Sequence, residues 1–300
     1  MHKKLIDLHC HTNASDGALS PSELVIKGFN LGLSAIAVTD HDSISGISEA
    51  MDAGEKLGIE VVPGVELSTL YQGKELHLLG YYIDIKAKWF LDLLHHFSAV
   101  RDERALKIII ILQKEGYTID IQKVKNIAKG NVGKPHVARA VIENRENEKR
   151  LKEVFGSIPS ISDYISRYMV AGKVANVPKE KLEFEKGITY IKKLGGVSVI
   201  AHPGYDLPPS DTSLEFLKKF KRKGLMGIEA IYFVENESRT KECVLYYQKV
   251  AHDLNMVVTG GSDFHGESEK IGTSLGLIGT GFEVGSELLK NLKKAARYKR

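Results

Sequence analysis

Two histidines and two aspartates near the N-terminus have the types and spacing of metal ligands. His9 and His11 stand two residues apart in residues 5–11, whose apolar lead-in is typical of a buried strand. Because side chains alternate along a strand, Asp7, His9 and His11 share one face. Asp16 follows in a Ser-Asp-Gly turn that can fold a carboxylate back over the strand end. For a lone His-x-His, one histidine that caps a helix and another that lies on the surface are more common than a metal site, so the rest of the chain must decide.

Acidic residues and histidines follow apolar runs at four further points of the chain. Asp40-His41, Glu66, His202 and Asp263-x-His265 each come after a short run typical of a strand. Carboxyl ends of parallel strands meet at one mouth of an α/β sheet, so these side chains should converge. His77 is the exception, because it lies near the start of its run. The pattern predicts a multinuclear metal centre formed by His9, His11, Asp16, His41, Glu66, His77, His202, Asp263 and His265.

Strands and helices alternate in the stretches that must position these side chains. The alternation runs from residue 3 to about 85 and resumes near residue 186, which indicates a parallel sheet covered on both faces, either a barrel or a doubly wound sheet. Between them, residues 87–185 show helical periodicity without a clear strand. The sequence therefore predicts an α/β body of residues 1–86 and 186–300, with an inserted helical subdomain of residues 87–185. Glu229, at the end of one of the predicted strands, could reach the mouth of the sheet, but the Ala and Ile after it favour ordinary packing.

Composition narrows the possible functions. The net charge of +4 is too small to predict that the whole surface attracts nucleic acid, so an acidic ligand must bind at a local site. Two cysteines form no disulfide framework, which suits a reducing compartment. No apolar run is long enough to cross a bilayer, and no signal peptide is evident. We therefore expect a cytoplasmic protein with no membrane association and no stable protein partner.

Five motifs resemble the ordered signatures of the polymerase-and-histidinol-phosphatase (PHP) family of metal-dependent phosphoesterases. They are His9-x-His11, Thr39-Asp40-His41-Asp42, Pro63-Gly64-Val65-Glu66, Ala201-His202-Pro203 and Gly261-Ser262-Asp263-Phe264-His265. The helical insertion, with Lys134-Pro135-His136 in its middle, further resembles the branch of 3′,5′-nucleoside bisphosphate phosphatases and 5′→3′ exoribonucleases. That branch usually has Arg where this chain has Lys134. The resemblance implies a distorted (β/α)7 barrel that holds three divalent ions.

The family's ligand sets carry over by motif. The first metal would take His9, His11, Glu66 and Asp263; the second Glu66, His77 and His202; and the third Asp16, His41 and His265. Mixed imidazole and carboxylate ligands suit Mn²⁺, Fe²⁺ or Zn²⁺, of which we expect Mn²⁺. Asp7 and Asp40 are expected to contribute to catalysis by orienting ligand imidazoles.

The predicted activity is hydrolysis of a phosphate ester by a metal-activated hydroxide, without a nucleophilic serine or cysteine. The expected substrates are 3′,5′-nucleoside bisphosphates or short RNA 5′ ends. Candidates for phosphate binding or leaving-group protonation are Arg101, Arg104, Lys134, His136 and Lys173. A helical arginine is also typical of a solvated face. The alternatives are a phosphatase of histidinol phosphate or another small metabolite, and a metal-stabilised nucleotide-binding module without turnover.

Overall fold

The structure, a computed structural model, describes residues 4–128, 132–178, 181–266, 273–278 and 282–297. It divides the chain into two compact units. The barrel unit comprises Met1–Lys88 and Lys181–Arg300, and the helical unit comprises Trp89–Glu180. No helix among the described residues is long and apolar enough to cross a membrane.

Eight strands of the barrel unit form one sheet. They are β1 (Ile6–Cys10), β2 (Ala35–Val38), β3 (Glu60–Tyr71), β4 (Lys74–Tyr81), β5 (Leu182–Glu183), β6 (Val197–Ile200), β7 (Gly227–Ile231) and β8 (Val257–Gly260). Their order is β1-β2-β3-β4-β6-β7-β8, and the short β5 lies beside β3. The segment after β8 returns to β1, where Cys10 bridges Phe264 and the His11 N–H donates to the Phe264 carbonyl at 2.9 Å. The ring closes in this way, and the predicted distorted barrel is confirmed.

Helices surround the ring in the barrel unit and make up the helical unit. Those of the barrel unit are α1 (Pro21–Asn30), α2 (Ile47–Leu57), α8 (Phe184–Lys193), α9 (Asp211–Arg222), α10 (Glu237–Asp253) and α11 (Ser286–Arg297). The others are α3 (Lys88–Lys114), α4 (Ile121–Ala128), α5 (Lys134–Ile142), α6 (Glu148–Phe155) and α7 (Ile161–Tyr168), with a short 3₁₀ helix at Arg145–Asn147. A further pair of short strands, β9 (Thr273–Ser274) and β10 (Leu277–Ile278), forms a separate ladder.

Local sequence signals set where the helices begin and end. Before α1, Ser20 and Glu23 form a reciprocal capping box, and Pro21 occupies the first helical position. After α2, Gly58 adopts the left-handed conformation at φ 72° that commonly terminates a helix. All residues of β1, β2, β6 and β7 are buried, as expected of strands covered on both faces.

The direction of β4 departs from the prediction of a parallel sheet. This strand runs antiparallel to both β3 and β6. It follows β3 through a two-residue turn at Gln72 and Gly73, whose φ values of 49° and 81° are typical of a type I′ hairpin. The start of β4 therefore lies at the same end of the barrel as the carboxyl ends of the parallel strands. This direction explains how His77, paired with Ser68 in the ladder, reaches the predicted metal site.

Candidate metal centre

The side chain of Glu66, on β3, lies at the centre of the candidate site and is fully buried. Its Oε2 lies 3.2 Å from Nε2 of both His9 and His11. The same oxygen lies 3.0 Å from Nδ1 of His41. Asp263 faces the same point, since its Oδ1 is 3.5 Å from His9 Nε2 and 3.3 Å from His11 Nε2. These atoms converge from β1, the ends of β2 and β8, and β3.

The other oxygen of Glu66 faces a second pair of imidazoles. Glu66 Oε1 lies 2.9 Å from His77 Nδ1 and 3.0 Å from His202 Nε2. The far nitrogen of His77, Nε2, is 3.7 Å from Glu75 Oε1, and the other oxygen of Glu75 pairs with Lys181. One carboxylate thus stands between two groups of histidines, which is the geometry of a bridging ligand.

A third group of side chains gathers around Asp16. Asp16 Oδ1 lies 3.6 Å from His11 Nδ1 and 3.5 Å from His265 Nε2, and its Oδ2 lies 3.9 Å from His41 Nε2. The rings of His11 and His265 stack with centroids 4.1 Å apart. Gly17 allows the loop to fold back this far, because a Cβ there would lie 2.4 Å from the His11 carbonyl oxygen.

The spacing of these atoms fits divalent ions. Ligand atoms bound at about 2.0–2.2 Å from one ion lie roughly 3–3.5 Å from each other, and the distances above are close to this spacing. Glu66 Oε2 and His77 Nδ1 are buried yet make no hydrogen bond of acceptable geometry within the described residues. Among the residues that the structure describes, three groups have ligand atoms that all lie within 4.8 Å of one another: His9-His11-Glu66-Asp263, His11-Asp16-His41-His265 and His41-Glu66-His77.

The charges of the site also favour a bound cation. Burial would raise the pKa of Glu66, but the imidazoles of His41, His9 and His77 hold that pKa well below its usual range. Burial would lower the pKa of His77, yet the carboxylates of Glu66 and Glu75 raise it to about 10. The Glu66 carboxylate therefore remains ionised, and a protonated His77 compensates its charge when no metal is bound. Divalent cations would supply the same compensation and leave the imidazoles free to coordinate.

Within the described part of the chain, the Asp7 carboxylate makes hydrogen bonds to backbone and hydroxyl groups and none to an imidazole. Its Oδ1 accepts from the backbone N–H groups of His9 at 3.2 Å and Ser262 at 3.0 Å. Its Oδ2 accepts from the Ser262 hydroxyl at 2.6 Å and the Gly276 N–H at 2.8 Å. These bonds fix the chain directly before Asp263. The expected contribution of Asp7 to catalysis stays a prediction.

Asp40 has a comparable role at the end of β2. Its Oδ1 accepts from the Thr12 N–H at 2.7 Å and the Ser15 hydroxyl at 2.6 Å, and its Oδ2 accepts from the Thr12 hydroxyl at 2.7 Å. These bonds hold the loop between His11 and Asp16. The hydrogen bonds of the Asp40 carboxylate described above are thus to the N–H and hydroxyl groups of this loop, and its expected contribution to catalysis stays a prediction.

Glu229, in the middle of β7, is a site residue that the sequence analysis missed. Its side chain is fully buried, and its two oxygens lie 3.0 and 3.1 Å from His9 Nδ1. Its Oε2 also accepts the His202 N–H at 2.8 Å. The expectation of ordinary packing is wrong. A carboxylate inside the otherwise apolar run of Gly227–Ile231 was the available signal, because a buried charge requires partners.

The predicted substrate-binding residues lie in the helical unit: Arg101, Arg104, Lys134, His136 and Lys173. Arg104 is half-buried, and its Nε donates to the Val177 carbonyl at 2.7 Å. His136 is buried in the first turn of α5, where its Nδ1 accepts the Gly133 N–H at 3.0 Å. Part of the hydrogen-bonding capacity of Arg104 and His136 therefore serves the helical unit itself.

Comparisons with known proteins agree with this geometry. Residues 7–205 match the family described as PHP domain. A 5′-3′ exoribonuclease from Haemophilus influenzae is 32% identical over 262 residues, which cover 87% of this chain and 90% of that protein. A 3′,5′-nucleoside bisphosphate phosphatase from Chromobacterium violaceum is 28% identical and covers 88% of each chain. A structure from Bifidobacterium adolescentis, described as a metal-dependent phosphoesterase, superposes with a TM-score of 0.80 at 25% identity, over 97% of this chain and 96% of that one.

Proposed function

Because the chain belongs to the PHP family of metal-dependent phosphoesterases, we propose that it hydrolyses phosphate esters of nucleotides at a trinuclear metal centre. The observation that carries this proposal is the Glu66 carboxylate, whose two oxygens face separate groups of imidazoles at 2.9–3.2 Å. A carboxylate so placed can bridge two ions. Asp16 gathers further imidazoles and would hold a third ion.

The proposed ligand sets are His9, His11, Glu66 and Asp263; Glu66, His77 and His202; and Asp16, His41 and His265. Nitrogen and oxygen donors of this kind suit Mn²⁺, Fe²⁺ or Zn²⁺, of which we expect Mn²⁺. Such ions would neutralise charge on the phosphoryl oxygens and lower the pKa of a water, which supplies a nucleophile at neutral pH. The residues of the chain hold this arrangement: Glu66 fixes the spacing, while Asp7 and Asp40 fix the loops that carry Asp263 and Asp16.

The proposed substrates share a phosphorylated nucleotide end. The names of two relatives specify 3′,5′-nucleoside bisphosphates and RNA degraded from its 5′ end. We assign recognition of the phosphate that does not react to Arg101, Arg104, Lys134, His136 and Lys173 in the helical unit. Guanidinium groups bind phosphate oxygens through paired hydrogen bonds, and an ammonium binds them as a point charge.

A substrate panel tests the proposed function. With Mn²⁺ added, we expect kcat/KM to be highest for a 3′,5′-nucleoside bisphosphate or a short 5′-phosphorylated RNA, measured as release of inorganic phosphate or of mononucleotides. Binding energy from the second phosphate would position the reacting one, so nucleoside monophosphates should react more slowly. Preference for histidinol phosphate would indicate a small-metabolite phosphatase instead. Tight nucleotide binding without any turnover would indicate a binding module.

Metal analysis provides a second test. Protein purified without chelator should contain more than one equivalent of divalent metal. Removing the metal should abolish activity and lower the melting temperature, because a ligand that binds only the native state stabilises it by about 2.7 kcal/mol at a hundred times its Kd. A fully active protein that contains no metal would contradict the proposal.

A further inference from the structure

The Glu229 carboxylate contacts two proposed metal ligands on their sides away from Glu66. His9 presents Nδ1 to Glu229 and Nε2 to Glu66. His202 presents its backbone N–H to Glu229 and its ring Nε2 to Glu66. The two imidazoles stack nearly parallel, with an interplanar angle of 13° and centroids 5.7 Å apart. A second buried carboxylate therefore joins the same two histidines that meet at Glu66.

The contact with His9 determines which ring nitrogen can bind a metal. Both oxygens of Glu229 face this Nδ1, so the tautomer with its proton on Nδ1 is the one that donates to the carboxylate. The lone pair of a neutral His9 is then on Nε2, the atom 3.2 Å from Glu66 Oε2 and 3.5 Å from Asp263 Oδ1. Hydrogen bonds of this kind fix both the tautomer and the orientation of a metal-binding histidine.

The contact with His202 holds the backbone in an unusual conformation. His202 has φ 24°, a region that residues other than glycine rarely adopt. Its N–H donates to Glu229 Oε2 at 2.8 Å, while its Nε2 lies 3.0 Å from Glu66 Oε1. Strained backbone persists where surrounding contacts determine it. The hydrogen bond to Glu229 is such a contact, and it places the imidazole against the bridging carboxylate.

We infer that Glu229 is a positioning residue that sets two of the proposed metal positions together, through His9 in one and His202 in the other. The inference rests on the proposed function, because it concerns the same metal centre. The amide of Glu229→Gln carries no charge, so its hydrogen bonds to both histidines are weaker than those of the carboxylate, and its NH2 group in the Oε1 position would face the N–H of His9. Both metal positions should therefore weaken in this variant, each by about 10- to 100-fold, as is typical when an outer hydrogen-bond partner of a ligand is removed.

The experiment is a Zn²⁺ titration of the metal-free full-length protein in competition with a chromophoric chelator, for wild type, Glu229→Gln and Thr259→Val. Thr259 is the matched control because it is buried and pairs with Glu229 across the β7–β8 ladder. We expect two binding steps to weaken in Glu229→Gln and none in Thr259→Val. The melting temperature of the metal-free Glu229→Gln protein should stay close to that of wild type, while its increase on adding Zn²⁺ becomes smaller.

Wild-type affinities at every step of the Glu229→Gln titration would overturn the inference and leave the proposed function standing. A wild-type protein that binds no Zn²⁺ would overturn both. If Glu229→Gln does not fold, Glu229→Asp replaces it, since aspartate keeps the charge but withdraws the oxygens by one methylene length. Two weakened Zn²⁺-binding steps are expected for Glu229→Asp as well. Unchanged affinities in Glu229→Asp would show that the position of the carboxylate oxygens does not set the metal sites, and would overturn the inference.

Discussion

Replacing Glu66 with glutamine is expected to lower kcat for the preferred nucleotide substrate by at least about a hundredfold, the loss typical of removing a major charge-stabilising group. The two oxygens of Glu66 face His9, His11 and His41 on one side and His77 and His202 on the other. An amide has no net charge and one acceptor oxygen. It therefore cannot bridge two ions, and the spacing that clamps the phosphoryl group is lost.

Steady-state kinetics and metal analysis of the same samples would measure this effect. Glu60→Gln is the matched control, because Glu60 lies on the same strand but accepts from the Tyr82 hydroxyl at 3.1 Å and pairs with Lys293. Glu60→Gln should keep wild-type kcat. Circular dichroism should show that Glu66→Gln retains its fold. Near-normal turnover of Glu66→Gln at full metal occupancy would refute the bridging role.

The strand-end residues could be predicted from the sequence because one local rule places them. His9, Glu66 and Asp263 each lie near the carboxyl end of an apolar run. Parallel strands bring such ends together at one end of the sheet. The rule needs no knowledge of which strands are neighbours. The alternation predicted either a barrel or a doubly wound sheet, and the family resemblance implied the distorted barrel. The structure supplies the closing contact between Cys10 and Phe264.

The direction of β4 and the partners of the buried carboxylates were harder to predict. The two-residue turn at Gln72 and Gly73 was a readable hairpin signal, and it would have placed His77 at the barrel mouth. Glu229 is different, because its partner His9 lies 220 residues away in the chain. A periodic pattern identifies the face on which a residue lies. It does not identify which of several polar groups a buried carboxylate will contact, as Asp7 also illustrates.

Replacing Arg104 or Lys134 with alanine should selectively reduce the preference for a 3′,5′-bisphosphate over a monophosphate. Each variant should lose about 1.5–3 kcal/mol of this preference, the range for a hydrogen bond to a charged group, or roughly 10- to 150-fold in the ratio of kcat/KM values. Slow hydrolysis of the monophosphate should remain, because the proposed ligands on the barrel are unchanged. The ratio is measured with both substrates at one Mn²⁺ concentration.

The control for Arg104→Ala must separate phosphate binding from the stability of the helical unit, because Arg104 Nε also donates to the Val177 carbonyl. Lys107→Ala serves this purpose: Lys107 lies one turn further along α3, is exposed, and pairs with Glu103 at 2.7 Å. It removes a cation from the same helix and should leave the substrate ratio unchanged. Thermal unfolding of each variant then shows whether the helical unit remains intact. If Arg104→Ala slows both substrates equally, Arg104 serves the fold or the chemistry, and selection of the bisphosphate must come from other residues.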